Sequence, residues 1–415
     1  MMFNAKDFEF LNSDIWLKYT QERYIPLDDL RYRLESLGYK RSDWEELKNT
    51  IQKHRKLASI PLFVDSIGKK FWFFPSDAIQ KKINEIEHTG NKLYETIESK
   101  SKFKDEFLKD AKIEEAITSA IYEGANSTRA KAKQLITSQK SPKSKDEWMI
   151  VNNYEAMKWI KENSDKKIST DLIKEIHLIV TKNTLEGDDA AFSGKFRNDV
   201  VYVGDHTGIE HEKIIPTLNE IINLCVNNKR YQHGLIKGIL LHYFVAYVHP
   251  FFDGNGRTAR TLFYFKSIKN DLKFVELLSI SAHLKNNGNR YEKAFHDVVA
   301  NDYDVTYFVD FCLESLLAAL NKIDKKITYL FKIAKIKEKH SLSNSQVLLL
   351  QRLALNKFIN ISSEEYAQDL GRTREMGRRE LKDLFTKKFL KERKEGKKLV
   401  YSIDPAYLRS VVPMD

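Results

Sequence analysis

Residues 249–260, with the sequence HPFFDGNGRTAR, constrain the fold of this chain more than any other stretch. The residues before them, GLIKGILLHYFVAYV, contain no proline and no charge after Lys237, which predicts a buried helix that ends at His249. The residues after them, TLFYFKSIK, predict a second helix whose first turn begins near Gly256. The segment therefore joins two predicted core helices, which indicates a mainly α-helical fold.

The residue types in this loop suit the binding of a polyphosphate. Gly254 and Gly256 let backbone N–H groups approach a phosphate closely, and a helix N-terminus adds a partial positive charge there. Arg257 and Arg260 are three residues apart, so they share one helix face and can reach the same phosphate tail. The carboxylate of Asp253 directly precedes the glycines, where it can hold a Mg²⁺ ion that bridges phosphate oxygens.

His249 is a candidate general base, because the reference pKa of an imidazole lies near neutrality. Two other interpretations of the segment are less consistent with its surroundings. The spacing from Gly254 to Ala259 matches the dinucleotide fingerprint, but that fingerprint requires a preceding strand, and both flanks here are helical. His242 and His249 are seven residues apart without a third ligand nearby, which argues against a zinc site.

The twelve residues match every position of the pattern HPFx(D/E)GNGRxxR, and the segment therefore resembles the signature of the Fic family. The resemblance implies an all-α core and the transfer of AMP from ATP to a Ser, Thr or Tyr hydroxyl of a protein. It implies that His249 deprotonates the target hydroxyl and that Phe251 anchors the loop in the core. The Doc branch of the family transfers a phosphate instead and has a lysine at the position of Gly254, so this glycine favours AMP transfer.

The same resemblance assigns the nucleotide-binding residues. It implies Mg²⁺ binding by Asp253, contacts to the α- and β-phosphates by Gly254, Asn255 and Gly256, and contacts to the β- and γ-phosphates by Arg257 and Arg260. Tyr291 and Asn301 lie where similar family members approach the adenine and the ribose. An aromatic residue on a helix face is also commonly a core residue, and this alternative stays open for Tyr291.

Residues 112–136 have an apolar helical face that ends at Gly124, as it would at a C-cap glycine. Within them, Ser119, Glu123 and Gly124 match the (S/T)xxxE(G/N) motif and resemble the inhibitory helix that some Fic proteins carry before the core. By that resemblance Glu123 pairs with Arg260 and blocks productive ATP binding, because a carboxylate can form an ion pair with the arginine that would otherwise bind the γ-phosphate. The alternative is an ordinary exposed glutamate at a helix end.

Residues 191–208 lie between this helix and the loop and contain a run of β-branched and aromatic residues. Val200, Val201, Tyr202 and Val203 resemble the flap of the same family, a short hairpin that binds a target segment by strand pairing. A β-branched run bounded by glycines is also simply a strand, and the two interpretations are compatible.

The length of 415 residues allows two or three domains. Two amphipathic helices and a hairpin that turns at residues 66–68 predict an accessory domain over residues 1–105, with a helix break at residues 88–91 near its end. The Fic domain with its inhibitory helix is expected over residues 106–325. Three predicted helices and a hairpin turning at Glu395 and Gly396 resemble a winged helix-turn-helix domain, expected over residues 330–415.

The last region is rich in positive charge. Between residues 371 and 400, twelve Lys/Arg residues stand against five Asp/Glu residues. Arg372, Arg374, Arg378 and Arg379 belong to the predicted third helix, where a recognition helix presents arginines to bases or phosphates. Residues 340–400 could therefore bind DNA, although the same fold also serves as a docking or dimerisation module.

The remaining features point to a soluble protein of the cytoplasm. Cys225 and Cys312 lie in apolar helical patterns, which favours buried thiols and a reducing compartment. The N-terminus lacks the basic and apolar regions of a signal peptide, and no apolar stretch approaches the length of a membrane span.

Two functions remain open on this evidence. The first is an autoinhibited, ATP-dependent protein adenylyltransferase, in which Glu123 could also align a water for removal of AMP from the target. The second is a DNA-binding transcriptional regulator that uses the Fic fold as a nucleotide sensor. The intact loop favours the first, because a sensor does not need His249. The target protein, which could be the chain itself, and the formation of a homodimer are not determined by the sequence.

Overall fold

The computed structural model describes residues 5–36, 38–99, 101–138, 141–204, 206–227, 232–355, 360–370, 373–396 and 398–412. The chain is mainly helical and divides into two compact units, residues 1–320 and 321–415. This division does not separate residues 1–105 from the residues that follow them, and the three predicted domains stay a prediction.

The first unit contains most of the helices. In chain order they are α1 (Ala5–Leu11), α2 (Asp14–Trp16), α3 (Leu27–Glu35), α4 (Trp44–Leu57), α5 (Asp77–Glu98), α6 (Ser101–Tyr122), α7 (Arg129–Ser138), α8 (Lys145–Glu162), α9 (Thr170–Val180), α10 (Ile214–Ile222), α11 (Gly234–Val248), α12 (Asn255–Lys269), α13 (Ile280–Asn286), α14 (Gly288–Ala300) and α15 (Thr306–Lys339), which continues into the second unit. Two antiparallel hairpins are formed by β1 (Ile60–Val64) with β2 (Lys70–Phe73) and by β3 (Tyr202–Val203) with β4 (His206–Thr207).

Helices α11 and α12 lie at the centre of the first unit. Twelve of the fifteen residues in each helix are buried, as the sequence of α11, without a charge after Lys237, predicts. Helix α11 ends at Val248 and α12 begins at Asn255, one residue before Gly256. The predicted helix, loop and helix are therefore confirmed, and the thiols of Cys225 and Cys312 are free and buried, as expected.

The helix break predicted at residues 88–91 is wrong. Helix α5 runs through them without interruption from Asp77 to Glu98. A Cβ atom at Gly90 would lie 2.5 Å from Cδ2 of Phe274, so this glycine allows close packing of α5 against another segment. The close approach, rather than a turn, accounts for a residue that otherwise disfavours a helix.

The N-terminal residues are joined to the rest of the first unit by a buried polar network around Arg55. Its guanidinium donates hydrogen bonds to the hydroxyls of Thr20 and Tyr307 and to the carbonyls of Tyr19 and Ile25. Each nitrogen of the guanidinium therefore has at least one acceptor, which stabilises the buried charge.

The second unit contains the end of α15, α16 (Asn344–Leu355), β5 (Ile361–Ser362), α17 (Ser363–Leu370), α18 (Arg374–Thr386), β6 (Leu390–Glu395), β7 (Lys398–Ile403) and α19 (Pro405–Val411). Its three strands form an antiparallel sheet in the order β5, β7, β6. The predicted hairpin at Glu395 and Gly396 is confirmed, whereas Gly371 and Arg372 lie outside the described residues. The winged helix-turn-helix assignment stays a prediction. Among the described helices, none combines the length and the hydropathy that crossing a membrane requires.

Candidate active site

The loop between α11 and α12 reverses the chain with two left-handed residues. His249 is the C-cap of α11 with φ of 49°, and Gly254 is the N-cap of α12 with φ of 82°. This conformation costs a residue with a side chain about 1–2 kcal/mol, so surrounding contacts must stabilise it at His249. A Cβ at Gly254 would lie 2.5 Å from Cγ2 of Thr181, so close packing also requires glycine at that position.

Arg197 holds the backbone of this turn. Its Nε donates to the carbonyl of His249 at 2.8 Å, and its own backbone N–H donates to the carbonyl of Pro250 at 3.0 Å. The same buried guanidinium donates to the carbonyls of Asp199 and Ile209. Arg197 therefore links the position of His249 to the segment that carries the predicted flap.

His177, on α9, contacts the loop through its ring and through a hydrogen bond. Its ring stacks on Phe251, with 3.6 Å between centroids and 2° between planes, and Phe251 is fully buried. The backbone N–H of Gly194 donates to Nδ1 of His177 at 3.0 Å, so Nδ1 carries no proton and Nε2 donates to the carbonyl of Asp253 at 2.9 Å. Burial lowers the pKa of His177 to about 4, which keeps the ring neutral.

The side chain of Asn255 closes the loop. Its Oδ1 accepts from the backbone N–H of Phe251 at 3.0 Å, and its Nδ2 donates to the carbonyl of the same residue at 2.8 Å. In the described chain, the backbone N–H groups of Asn255, Gly256 and Arg257 donate to no protein acceptor. The first turn of α12 therefore presents three backbone donors, which is the arrangement of a phosphate site at a helix N-terminus.

The ring of His249 is half-buried at the edge of this turn. Its Nδ1 lies 3.3 Å from the carbonyl of Ala246, and a carbonyl only accepts hydrogen bonds. Nδ1 therefore carries the proton of the neutral ring, and Nε2 has the lone pair that a general base requires.

The two arginines of the loop have different partners. Nη1 of Arg257 donates to the carbonyl of Val180 at 2.8 Å, and Nη2 lies 3.2 Å from Oδ2 of Asp253. Nε and Nη2 of Arg260 instead donate to the hydroxyl of Ser119, at 3.2 and 2.9 Å. The side chain of Asp253 keeps 44% of its surface exposed, although its Oδ1 accepts from the N–H of Gly254 at 2.5 Å.

Glu123 lies at the N-terminus of α12. Its Oε1 is 2.7 Å from Nη2 of Arg260, and a Cβ at Gly256 would lie 2.4 Å from the same oxygen. Burial alone would lower the pKa of Arg260, but the carboxylate of Glu123 and neighbouring groups raise it above its ordinary value. Nη1 of Arg260 is buried without a hydrogen-bond partner in the described residues. A carboxylate thus contacts the arginine and the helix turn at the place predicted for a phosphate.

Helix α6 holds Glu123 in this position. Gly124 has φ of 96°, its N–H donates to the carbonyl of Ile121, and the N–H of Ala125 donates to the carbonyl of Ala120. This pattern is a Schellman motif, so the predicted C-cap glycine is confirmed. About two turns earlier, the buried carboxylate of Glu115 accepts from the hydroxyls of Tyr264, Ser279 and Ser281 and from the N–H of Ser281.

The predicted strand is confirmed but short. Only Tyr202 and Val203 form β3, while Val200 and Val201 precede it, and the carbonyl of Val201 accepts from the N–H of Gly208 at 3.0 Å. The side chains of Val200 and Tyr202 are 48% and 75% exposed. Two apolar side chains therefore face solvent on the segment that Arg197 connects to His249.

Neither Tyr291 nor Asn301 forms a hydrogen bond or a ring contact with residues 249–260 among the described residues. Burial raises the pKa of Tyr291, and the nearby charge of Arg260 opposes this rise. Tyr291 is buried in an aromatic cluster, and its hydroxyl lies 2.9 Å from Nε2 of His242. Asn301 caps α14, donates to the carbonyl of Asp297 at 2.8 Å and accepts from the N–H of Leu27. Their roles in nucleotide binding stay predictions, and the surroundings of Tyr291 are those of a core residue.

The site also contains residues that the sequence did not reveal. His177 and Glu115 lie on apolar helix faces without a motif, and Arg197 gave no sign of its contact with His249. Each acts through a partner at least 52 positions away in the chain.

Comparisons with known proteins agree with this geometry. Residues 167–265 match the Fic/DOC family. Protein adenylyltransferase fic-1 of Caenorhabditis briggsae is 36% identical over 97 residues, which are 23% of this chain and 18% of that protein. Protein adenylyltransferase Fic of Nematostella vectensis is 26% identical over 190 residues, 44% of this chain and 43% of that protein. The chain thus matches less than half the length of these relatives.

Among solved structures, a Fic family protein from Desulfovibrio desulfuricans G20 superposes with a TM-score of 0.51 at 14% identity. The superposition covers 78% of this chain and 96% of that one. The predicted fold class, mainly α with a Fic-type helical core, is therefore confirmed.

Proposed function

We propose that this protein transfers AMP from ATP to a Ser, Thr or Tyr hydroxyl of a protein and that Glu123 restrains this activity, because residues 167–265 match the Fic/DOC family. The names of the relatives support the reaction type. The observation that carries the restraint is the 2.7 Å contact between the carboxylate of Glu123 and the guanidinium of Arg260.

In the proposed reaction, the hydroxyl oxygen of the target bonds to the α-phosphorus of ATP. The bond from this phosphorus to the bridging α,β-oxygen breaks, and pyrophosphate leaves with the electron pair. His249 accepts the hydroxyl proton at Nε2, because Nδ1 is already protonated toward Ala246. Arg197 orients this base by holding its backbone.

The first turn of α12 would bind the phosphates. The N–H groups of Asn255, Gly256 and Arg257 point to where a phosphate chain would lie, and Arg260 would contact its end. The half-exposed carboxylate of Asp253 fits a Mg²⁺ ion, which commonly binds one protein carboxylate together with substrate phosphates and waters. When bound, the ion would neutralise charge on the phosphate oxygens.

Glu123 would restrain the reaction by competing with the phosphates. The carboxylate binds Arg260 and lies against the backbone at Gly256, so it takes the arginine and the space that a terminal phosphate needs. ATP could then bind only with its phosphates displaced, so that the α-phosphorus would not face the target hydroxyl.

The test is to incubate the protein with ATP labelled at the α-phosphate and to follow label on the protein itself and on lysate proteins. Glu123→Gly should transfer much more label than the unchanged protein. Adding His249→Ala to Glu123→Gly should decrease the rate of label transfer about 10²–10⁴-fold. ATP labelled at the γ-phosphate should leave no label, which distinguishes AMP transfer from phosphate transfer.

Glu162→Gly is a matched control, because it makes the same change at the exposed end of α8. It should behave as the unchanged protein. If Glu123→Gly transfers no α-label, or transfers as much with His249→Ala as without it, the proposed function is wrong.

A further inference from the structure

The positive charge of this chain is concentrated in its second unit. Residues 321–415 contain 22 Lys/Arg and 12 Asp/Glu residues, a net charge of +10 out of +11 for the whole chain. The first unit, with more than three times as many residues, is therefore close to neutral. An excess confined to one small unit indicates an anionic partner for that unit rather than a general means of solubility.

Helix α18 has a buried apolar face and an exposed face that carries cations. Gly377, Leu381 and Leu384 are buried, and the exposed side carries four cations, at Arg374, Arg378, Arg379 and Lys382. Within the described part of this unit, none of these four side chains forms an ion pair. Glu375 is the one acidic residue of α18 that is fully exposed.

The other two acidic residues of α18 are partly exposed, and each is bonded to groups of its own unit. Glu380 accepts from the hydroxyls of Tyr366 at 2.6 Å and Ser345 at 2.9 Å. Asp383 accepts from Nε2 of Gln346 at 2.7 Å. These acids hold α18 to its neighbours. The exposed residues of α18 then include four cations and one acid, together with Met376, Phe385 and Thr386.

Helices α17 and α18 approach each other closely at Gly377. A Cβ at this position would lie 2.9 Å from the carbonyl of Ser363 and 3.1 Å from Cβ of Ala367. The glycine therefore lets α17 cross directly behind α18, while the cationic face of α18 remains uncovered. A close pair of helices with a short link and an exposed second helix is what the predicted helix-turn-helix requires.

The hairpin of β6 and β7 adds further exposed cations, of which Lys391 pairs with Asp404 and Arg393 with Glu395. Strand β6 lies at the edge of the sheet, and after Leu390 its residues are exposed on both faces, including Lys391, Arg393 and Lys394. An exposed charged edge strand does not add to the core. It is suited to contact a surface outside the unit.

We propose that residues 321–415 bind duplex DNA, with α18 in the major groove and the β6–β7 hairpin on the adjacent phosphate backbone. The major groove of B-form DNA admits an α-helix, and arginines on its outer face reach both base edges and phosphates. The major groove of duplex RNA is too narrow for this contact. The proposal does not depend on the transfer of AMP.

The experiment measures fluorescence anisotropy of a labelled 24-base-pair DNA duplex titrated with the full chain at several NaCl concentrations. We expect a dissociation constant of about 10⁻⁶ M or lower at 50 mM NaCl, with log K falling linearly with log[NaCl]. Arg378→Ala, Arg379→Ala and Lys382→Ala together should reduce the salt slope by up to about 3 and weaken binding on the order of 10²-fold or more.

Three exposed lysines of the first unit provide the matched control, changed to alanine together: Lys143, Lys167 and Lys213. This variant loses the same charge and should bind as the unchanged protein. Glu375→Gln should tighten binding several-fold, a gain that misfolding cannot produce.

The proposal is overturned if the unchanged protein shows no binding up to 100 µM at 50 mM NaCl. It is also overturned if both triple variants weaken equally, or if a duplex RNA of the same sequence binds as tightly as the DNA. An acidic protein surface would then be the better partner for this face.

Discussion

Replacing Glu123 by glutamine should have two opposite effects: a less stable nucleotide-free protein and tighter binding of ATP. Glutamine keeps the size of the side chain but removes the charge that compensates Arg260, whose side chain is only 2% exposed. ATP brings phosphates to the same guanidinium. The substitution should therefore lower the free energy of unfolding of the nucleotide-free protein and make the free energy of ATP binding more favourable by a similar amount.

The contacts of Arg260 determine how much stability Glu123→Gln should lose. Removing one partner of a fully buried ion pair costs about 3–5 kcal/mol. The side chain of Glu123 is 22% exposed, and Ser119 keeps both of its hydrogen bonds to Arg260, so we expect a lower cost of about 2 kcal/mol. For a compact unit of residues 1–320 this corresponds to a decrease of about 3 °C in Tm. The same free energy corresponds to about 30-fold tighter ATP binding.

Differential scanning fluorimetry measures the first effect, and isothermal titration calorimetry with ATP and Mg²⁺ measures the second. His249→Ala should be present in both proteins during calorimetry, so that no turnover contributes heat. Glu162→Gln is the control and should change neither quantity. An unchanged Tm together with an unchanged Kd for ATP would refute the reasoning, because Arg260 would then be equally well compensated without the carboxylate.

Three further predictions concern the support of the loop and the packing of the first unit. Arg197→Lys in the Glu123→Gly protein should lower the rate of AMP transfer about 10²-fold with little change in ATP affinity, because the compact ammonium of lysine lacks the planar fork that contacts carbonyls on separate segments. Initial rates against ATP concentration check this. The pKa of His177 is lowered from its unfolded value near 6.5 to about 4, so its contribution to stability is present above pH 6.5 and is lost as pH falls toward 4. Urea unfolding should show this loss, about 1.4 kcal/mol per pH unit from this residue, and His177→Gln should show a correspondingly shallower pH dependence. Gly90→Ala should lower the free energy of unfolding by about 1–3 kcal/mol although alanine favours helices, and Phe274→Leu in the same protein should recover part of the loss.

The sequence predicted the loop and its flanking helices because their signals are local. A charge-free apolar run, two glycines and the i, i+3 arginines all lie within about 25 residues. The pairing of Glu123 with Arg260 joins positions 137 apart, and it was predicted only through the resemblance of a short motif. The support from His177 and Arg197 has no such motif, and only the packing of α9 and of the flap segment reveals it.

Gly90 illustrates the opposite error. A glycine beside His88 and Asn91 predicts a helix break, because glycine is the poorest helix former after proline. Position 90 requires glycine because the ring of Phe274, 184 positions later, packs against it. No local sequence pattern contains that information. Tertiary contact overrides propensity at this position.

On the proposed mechanism, the packing of α6 limits how the restraint by Glu123 can be relieved. The helix buries Ile113, Ala116, Ile117 and Ala120 in one apolar cluster, and the carboxylate of Glu115 accepts four hydrogen bonds from groups that would lose their acceptor if α6 moved. Displacing the whole helix would therefore cost several kcal/mol in apolar burial and more in unpaired polar groups. The last turn is different, because Tyr122 and Glu123 are only partly buried and Gly124 is already a helix end with no atom within 4 Å of a Cβ. Unwinding this turn frees Arg260 while the anchor at Glu115 stays in place, so a change confined to residues 122–124 is the least costly route to an active site that can bind the γ-phosphate.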